Sequence, residues 1–144
     1  MSTNPLPPRY GAPVTLDEAR RVMAAAEAEC ARQGDWPMVI AIVDSGAHLV
    51  MLHALDGAQH ASLALAQGKA VTANNFRRAT KVFEDAVGAG GIGLRMLSAD
   101  GVSAIEGGLP LFRDGAVIGA IGVSGMSAVQ DGVIAAAGAA AQPG

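Results

Sequence analysis

The sequence predicts one α/β (α+β) domain with an antiparallel sheet of about four to five strands flanked by helices. Its 144 residues are enough for one domain of ordinary size, and a second such domain has no room. Two turn signals, residues 44–47 and Asp114-Gly115, each lie between two apolar, β-rich runs, which predicts two antiparallel hairpins. Helical patterns precede, separate and follow the hairpins. The predicted order is therefore α-β-β-α-α-β-β-α.

The N-terminal part of the chain divides into an arm and a first helix. Residues 1–13 contain four prolines and little apolar periodicity, so we expect an extended arm that is disordered or lies along a neighbouring subunit. The single domain is then expected to cover residues 14–144. Thr15 and Glu18 have the capping-box spacing, and apolar residues recur at steps of three and four up to Gly34, which predicts an amphipathic helix.

The middle of the chain predicts a hairpin followed by two helices. Residues 38–43 and 48–53 are predicted as the strands of the first hairpin. Residues 62–75 predict a helix with a smooth alanine face, in which Gly68 indicates that another element packs closely there. Thr80 is predicted to open a short helix that continues through residue 87.

A glycine motif follows that short helix. Gly88, Gly90 and Gly93 have the spacing of the dinucleotide-binding fingerprint. The fingerprint requires a preceding strand and a following helix, whereas here it follows a helix and no clear helical face comes after it. Residues 88–93 are therefore predicted to form a flexible loop that could act as a lid.

The C-terminal part predicts the second hairpin and a last helix. Residues 102–105 are expected to form a short strand, and residues 109–112 and 116–124 the two strands of the hairpin. Ser127 and Gln130 have the capping-box spacing and open a helix that continues to about residue 141.

The composition indicates that subunits share their apolar surface. Alanine and glycine together make up about a third of the chain, whereas there are only three Phe, one Tyr and one Trp. Each small residue buries little apolar area, at about 25 cal/mol per Å². A monomer with such a core would be marginally stable, so a homo-oligomer is expected.

Charge and hydropathy exclude several classes of partner and location. The net charge is −3, and no basic stripe interleaved with aromatic residues occurs, which argues against nucleic acid as a partner. No apolar stretch has the roughly 18 residues of a membrane span. A lone Cys30 and an N-terminus without a basic region and an apolar region predict a cytoplasmic protein.

The end of the second hairpin resembles part of a nucleophile elbow. Gly122 and Ser124 fit the G-x-S-x-G pattern, but Met126 replaces its last glycine, and every histidine lies upstream in the chain. The alternative is a glycine-rich strand end that a ligand or a neighbouring backbone approaches closely. The helix N-terminus at Ser127 is expected to offer free N–H groups to an anion such as a carboxylate.

Three histidines are candidate ligands for iron. His48 and His53 have an odd separation, so on one strand they would point to opposite faces and would not share a metal ion with each other. No other residues have a recognisable metal-ligand spacing, and no metal site is predicted. Each of His48, His53 and His60, or one of the six methionines, is instead a candidate axial ligand of haem.

Three charged residues are candidates for ligand contact or proton transfer. Lys69 on the alanine-faced helix would either meet the carboxylate of a bound ligand or reach solvent. Arg78, with Arg77 before it, would either bind an anion or lie in a solvated loop. Glu106, directly before a Gly-Gly pair, is the acidic residue best placed for proton transfer, with an ordinary surface carboxylate as the alternative.

Taken together, these residues resemble the GlcG/HbpS family of haem-binding or haem-degrading proteins, which includes the C-terminal domain of PduO-type proteins. The resemblance covers about residues 14–141. It rests on five stretches: Leu16-Asp-Glu-Ala-Arg-Arg, residues 39–52, Gly68-Lys-Ala-Val-Thr-Ala, Glu106-Gly-Gly-Leu-Pro-Leu and Asp114-Gly-Ala-Val-Ile-Gly-Ala-Ile-Gly-Val-Ser-Gly. The resemblance implies a profilin-like α/β/α sandwich and a homo-oligomer of four to eight subunits with ligands near the subunit contacts.

Three hypotheses about function follow. The first is a cytoplasmic, homo-oligomeric small-molecule-binding protein with haem or a related tetrapyrrole as its ligand, and its expected ligand-binding residues are His48, Arg78, Thr80, Gly107, Gly108, Ser124 and Gly125. The second is a small catabolic enzyme that acts on a carboxylated metabolite. In that enzyme Lys69 or Arg78 would hold the carboxylate, Glu106 would transfer a proton, and the backbone near Ser124 would stabilise an anion. The third is a structural oligomer without a ligand.

Overall fold

The computed structural model describes residues 6–141 and shows a four-stranded antiparallel sheet between two helical layers. The predicted order of elements is confirmed, with a 3₁₀ helix in addition. The elements are α1 (Leu16–Arg32), β1 (Val39–Asp44), β2 (Leu49–Ala54), α2 (Ser62–Phe76), α3 (Lys81–Gly88), the 3₁₀ helix (Gly91–Ser98), β3 (Gly108–Arg113), β4 (Ala116–Ser124) and α4 (Ala128–Ala139).

The centre of the sheet is the pair β1 and β4. The strand order is β2-β1-β4-β3, with Val39 opposite Ser124 at one end of the central pair and Asp44 opposite Gly119 at the other. Each hairpin therefore supplies one central and one edge strand. Every residue of β4 is buried, as a strand covered on both faces requires.

Branched and sulfur-containing side chains fill the face of the sheet beneath α1 and α4. Both helices begin with the predicted capping boxes, at Thr15 and at Ser127. Their apolar stripes meet the sheet in one core, whose fully buried members include Met23, Ile40, Ile121 and Ile134. This layer supplies most of the large apolar side chains buried in the fold.

The other face is covered by α2 and is built from small residues. Ala66, Ala70 and Ala73 of α2 lie directly on the sheet. A Cβ atom at Gly122 would lie 2.0 Å from the carbonyl oxygen of Ala66, so the backbone of the helix touches the backbone of the strand. Close packing was expected at Gly68, but a Cβ atom there would lie 3.9 Å from the Cβ of Ser103, an ordinary contact distance.

Two predicted segments differ from the structure. The loop predicted for residues 88–93 is only a short turn at Gly90 and Gly91, whose φ values of 71° and 59° let a 3₁₀ helix start immediately after α3. The strand predicted for residues 102–105 is not formed. Ser103 donates its backbone N–H to Oγ1 of Thr72 in α2 rather than to a strand, which leaves this segment extended across the helix.

The described part of the N-terminal arm is ordered against its own chain. Gly11 donates to the carbonyl of Val117 at 2.8 Å, and Val117 donates to the carbonyl of Arg9 at 2.8 Å. The hydroxyl of Tyr10 donates to the carbonyl of Asn74 at 2.7 Å, which ties the arm to α2. Residues 1–5 of the predicted arm lie outside the described residues.

The only charged residue buried in α1 links that helix to β3. Arg113 donates from Nε to the carboxylate of Glu18 at 2.9 Å and also from Nη2, and Glu18 accepts the backbone N–H of Thr15. Hydrogen bonds from Arg113 and Thr15 outweigh the effect of burial and lower the pKa of Glu18 to about 2.

Across the described residues, no helix is both long and apolar enough to cross a membrane.

We predict that Glu18 makes folding stability depend on acid. Because its pKa is about 2 in the fold and 4.5 ordinarily, its contribution is complete above about pH 5 and is lost as the pH falls toward 2. Glu18→Gln keeps an acceptor for the capping box but removes the charge. Urea unfolding of both proteins between pH 7 and pH 2 should show a difference of roughly 1–3 kcal/mol that shrinks on acidification. A difference independent of pH would contradict this assignment.

Candidate functional site

A buried ion pair joins the two helical layers. Lys69 of α2 donates from Nζ to the carboxylate of Asp131 in α4 at 2.9 Å and to the carbonyl of Val123 at 3.0 Å. The two side chains are only 2% and 3% exposed. The lysine passes the start of β3, where a Cβ atom at Gly107 would lie 2.9 Å from Nζ. The expectation that Lys69 reaches solvent is therefore wrong, and its charge is neutralised within the chain.

The same carboxylate organises the start of α4. The second oxygen of Asp131 accepts the backbone N–H of Met126 at 3.0 Å, while Ser127 and Gln130 complete a capping box. The sequence predicted that the N–H groups at the start of α4 would be free to bind an anion. Instead, the carboxylate of Asp131 lies beside them. Sequence reasoning missed Asp131, although a single acid in an otherwise apolar helix was a usable signal.

A cavity of about 200 Å³ lies next to this ion pair. Its wall consists of Ala79, Lys81, Glu106, Gly107, Gly108, Leu109, Gly132 and Ala136. Thr80 holds the wall to α3, because its Oγ1 accepts the N–H of Gly108 and its own N–H donates to the carbonyl of Gly108. The structure therefore brings together five predicted residues: Lys69, Thr80, Glu106, Gly107 and Gly108.

Glu106 is the acidic side chain in the wall of this cavity. Its carboxylate lies over Gly132, where a Cβ atom would be 2.3 Å from Oε2, and within the described residues it accepts no hydrogen bond. Lys81 donates to Asp85 at 3.0 Å, and this hydrogen bond is the main reason that its pKa is raised. Arg78 is exposed and lies over the ring of Phe83. Neither Arg78 nor Lys69 is among the residues that line the cavity.

Ser124 is buried and held by another serine. Its hydroxyl lies 2.9 Å from the hydroxyl of Ser62, which also accepts from Gln59. In the part of the chain that the structure describes, no histidine contacts Ser124, so the nucleophile-elbow interpretation lacks its base. Gly125 packs against the carbonyl of Pro37, where a Cβ atom would be 2.6 Å away.

The three histidines lie apart on the surface. His48 is at the β1–β2 turn, and its ring lies 3.1 Å from the carboxylate of Asp44. His53 contacts Glu27 of α1, and His60 is exposed just before α2. Among residues 6–141, no three histidine, cysteine or acidic side chains are placed to hold a metal ion together.

A second hollow is an apolar groove that the sequence did not reveal. It has a volume of about 540 Å³ and lies between α2, the end of α3, the 3₁₀ helix and the extended segment after it. Its lining residues are Ala64, Leu65, Gly68, Val87, Met96, Leu97, Gly101, Val102, Ser103, Ala104 and Ile105. In the sequence, the glycine at position 68 within a predicted helix was the one signal of this groove. Gly68 forms part of the groove's floor.

Cys30 lines a separate hollow of about 450 Å³ beside Trp36. Burial, together with the charges of Glu27 and Glu29, raises the pKa of its thiol to about 11. The thiol is therefore protonated at neutral pH, which makes it a poor nucleophile and a poor ligand for iron.

Comparison with known proteins finds a family match over most of this chain. A family model described as "Haem degrading protein HbpS-like" matches residues 14–140. Protein GlcG of Escherichia coli K12 is 38% identical over 106 residues, which are 74% of this chain and 77% of GlcG.

Two solved structures are similar over nearly the whole fold. A complex of PduOC with haem has a TM-score of 0.78 and 34% identity over 90% of this chain and 95% of that one. A double variant of HbpS from Streptomyces reticuli has a TM-score of 0.80 and 27% identity, with 97% of each chain covered.

We predict that the ion pair is far more sensitive to the loss of one partner than of both. Lys69→Met leaves the carboxylate of Asp131 buried without a cation and should cost about 3–5 kcal/mol in the free energy of unfolding. Combining it with Asp131→Leu should recover much of that loss, measured by urea denaturation. Lys81→Met, which breaks an exposed pair, is the matched control and should change little. Equal effects of the two lysine substitutions would refute the assignment.

Proposed function

This chain belongs to the haem-degrading HbpS-like family, and we propose that it is a small-molecule-binding protein whose ligand is haem or a related tetrapyrrole. A haem complex is known for the similar PduOC structure. The observation in this chain that supports the proposal is the apolar groove of about 540 Å³. That volume lies within the range of about 300–1,000 Å³ typical of cofactor sites.

The groove suits the flat apolar face of a porphyrin. Leu65, Leu97, Val102 and Ile105 present aliphatic surface on its two sides. Gly68 removes a side chain from the middle of the helical wall, which lets a planar ring approach the helix backbone. The cavity at Glu106 has less than half this volume and does not fit a porphyrin.

Met96 is the residue we propose as the iron ligand within the groove. Its thioether is the one sulfur in the lining, and no histidine, cysteine, lysine or tyrosine occurs among the lining residues. Among the histidines, His60 comes closest along the chain, one helical turn before Ala64. His48 and His53 lie against Asp44 and Glu27 instead. Bound haem would supply a redox-active iron, and the chain would supply the apolar slot and the thioether of Met96 to hold it.

We also propose that the protein is a homo-oligomer of four to eight subunits. Large apolar side chains remain exposed around the groove, including Ile92 at 76% and Leu97 at 69% exposure. The outer side of the edge strand β2 also pairs with no other strand among the described residues. Contacts between copies would cover such surfaces and would deepen the groove.

Haemin titration tests the ligand and the site together. The protein should give a saturable Soret shift, which Met96→Leu should weaken while also changing the ligand-field bands, because leucine keeps the apolar volume but removes the sulfur. His60→Ala should weaken the shift if that histidine is the second axial ligand.

His48→Ala is the matched control. His48 is exposed in the turn between β1 and β2, so this substitution should leave the titration unchanged. Parental spectra and affinity in both Met96→Leu and His60→Ala would rule out iron ligation from this groove. Loss of affinity in His48→Ala alone would move the site to the hairpin turn.

Light scattering on the purified protein tests the assembly. We expect a mass of about four to eight times the 14.4 kDa of one chain at micromolar concentration. Leu97→Glu should lower this mass, because a charge would be buried in the contact. A 14 kDa species for the unsubstituted protein would contradict the proposal.

A further inference from the structure

We propose that the cavity at Glu106 is a second, separate binding site that takes a small primary alkylammonium ion. In this site the carboxylate of Glu106 accepts the ammonium N–H groups, and Ala79, Leu109 and Ala136 contact the aliphatic part of the ligand. The chain segment that contains Ile105 and Glu106 separates this cavity from the groove, because Ile105 lines the groove and Glu106 lines the cavity.

The volume limits the ligand to a few heavy atoms. The cavity measures about 200 Å³, whereas one water molecule occupies about 30 Å³ of the liquid. Roughly six or seven waters would fill it, which corresponds to an organic molecule with fewer than about ten non-hydrogen atoms.

The charges of the cavity favour a cation over a carboxylate. Glu106 has a carboxylate without a hydrogen-bond donor among the described residues, and Glu84 lies beside it, accepting the backbone N–H of Glu106 at 3.2 Å. The one cation in the wall, Lys81, donates to Asp85 and interacts with Glu106 and Glu84 through charge alone, so one ammonium group is shared among three carboxylates. The lysine expected to hold a ligand's carboxylate, Lys69, is neutralised by Asp131. The structure thus reverses the ligand charge expected from the sequence.

Gly132 sets the position of the carboxylate. A Cβ atom there would lie 2.3 Å from Oε2 and 2.9 Å from Cδ of Glu106, so any larger residue would displace the carboxylate from the wall. Gly132 lies inside α4, where alanine would otherwise favour the helix by about 1 kcal/mol. A glycine in this position leaves room for the carboxylate of Glu106.

The test uses n-propylammonium chloride as the probe and sodium propionate as its charge-reversed counterpart of similar size. Titration of the intact oligomer, followed by amide NMR, should show saturable shifts at Gly107, Gly108 and Gly132 with the amine and none with propionate. Glu106→Gln should weaken amine binding by about tenfold or more, because the remaining amide oxygen still accepts a hydrogen bond but no longer carries a negative charge. Asp17→Asn, which removes an exposed carboxylate of α1, is the control and should bind as the parent does.

A second variant keeps the test decisive if Glu106→Gln alters folding. Gly132→Ala should also weaken amine binding while retaining the helix and the oligomer mass. Haemin titration of both variants should match the parent, which separates failure of this site from failure of the haem proposal. Equal binding of propionate, parental amine affinity in both variants, or no saturable amine shift at these glycines would overturn the inference.

Discussion

The buried ion pair between Lys69 and Asp131 ties the two helical layers of the fold to each other and to the sheet between them. It runs from the helix on one face of the sheet to the helix on the other and also captures the carbonyl of Val123 in the central strand. Burying two charges is costly unless both are paired, so the geometry around them tolerates little movement. Gly107 requires glycine because its φ is +131° and because a Cβ atom would lie 2.5 Å from the carbonyl oxygen of Val123 and 2.9 Å from Nζ of Lys69. The wall of the Glu106 cavity is therefore positioned by the same contact.

Small residues make that contact reachable. The alanine face of α2 and the glycines of β3 and β4 bring helix and sheet backbones together, as the position of Gly122 against Ala66 shows. A larger residue at these positions would lift the helix, and the lysine would no longer reach across the start of β3. The many small residues on this face of the sheet thus allow the ion pair between Lys69 and Asp131 to form. The opposite face, beneath α1 and α4, carries most of the buried apolar side chains.

Much of the fold was predictable from local chemistry. Both capping boxes, both hairpin turns and the whole of β4 follow from short-range patterns at Thr15, Ser127 and Asp114-Gly115, where the side chain or the turn decides the backbone. The 3₁₀ helix did not follow, because it begins within a glycine-rich stretch and none of its residues is buried in the core.

The candidate site was predictable only in part. Glu106 and the glycines after it stand out in the sequence, and so does Lys69. What determines their chemistry is Asp131, which lies 62 residues from Lys69 and becomes its partner only through the tertiary fold. The charge balance of a buried site depends on such distant pairs. One sequence taken alone does not show which residues form them.

The placement of β4 has a consequence for synthesis of the chain on the ribosome. Two of its partners, β1 and residues 9–11 of the arm, are made long before it, so the middle of the sheet closes only when β4 itself has left the exit tunnel. Until then the first hairpin has an open apolar face and an unpaired edge. Such long-range closure is slow relative to helix formation. The nascent chain therefore passes through an aggregation-sensitive interval that ends only as its last strand emerges.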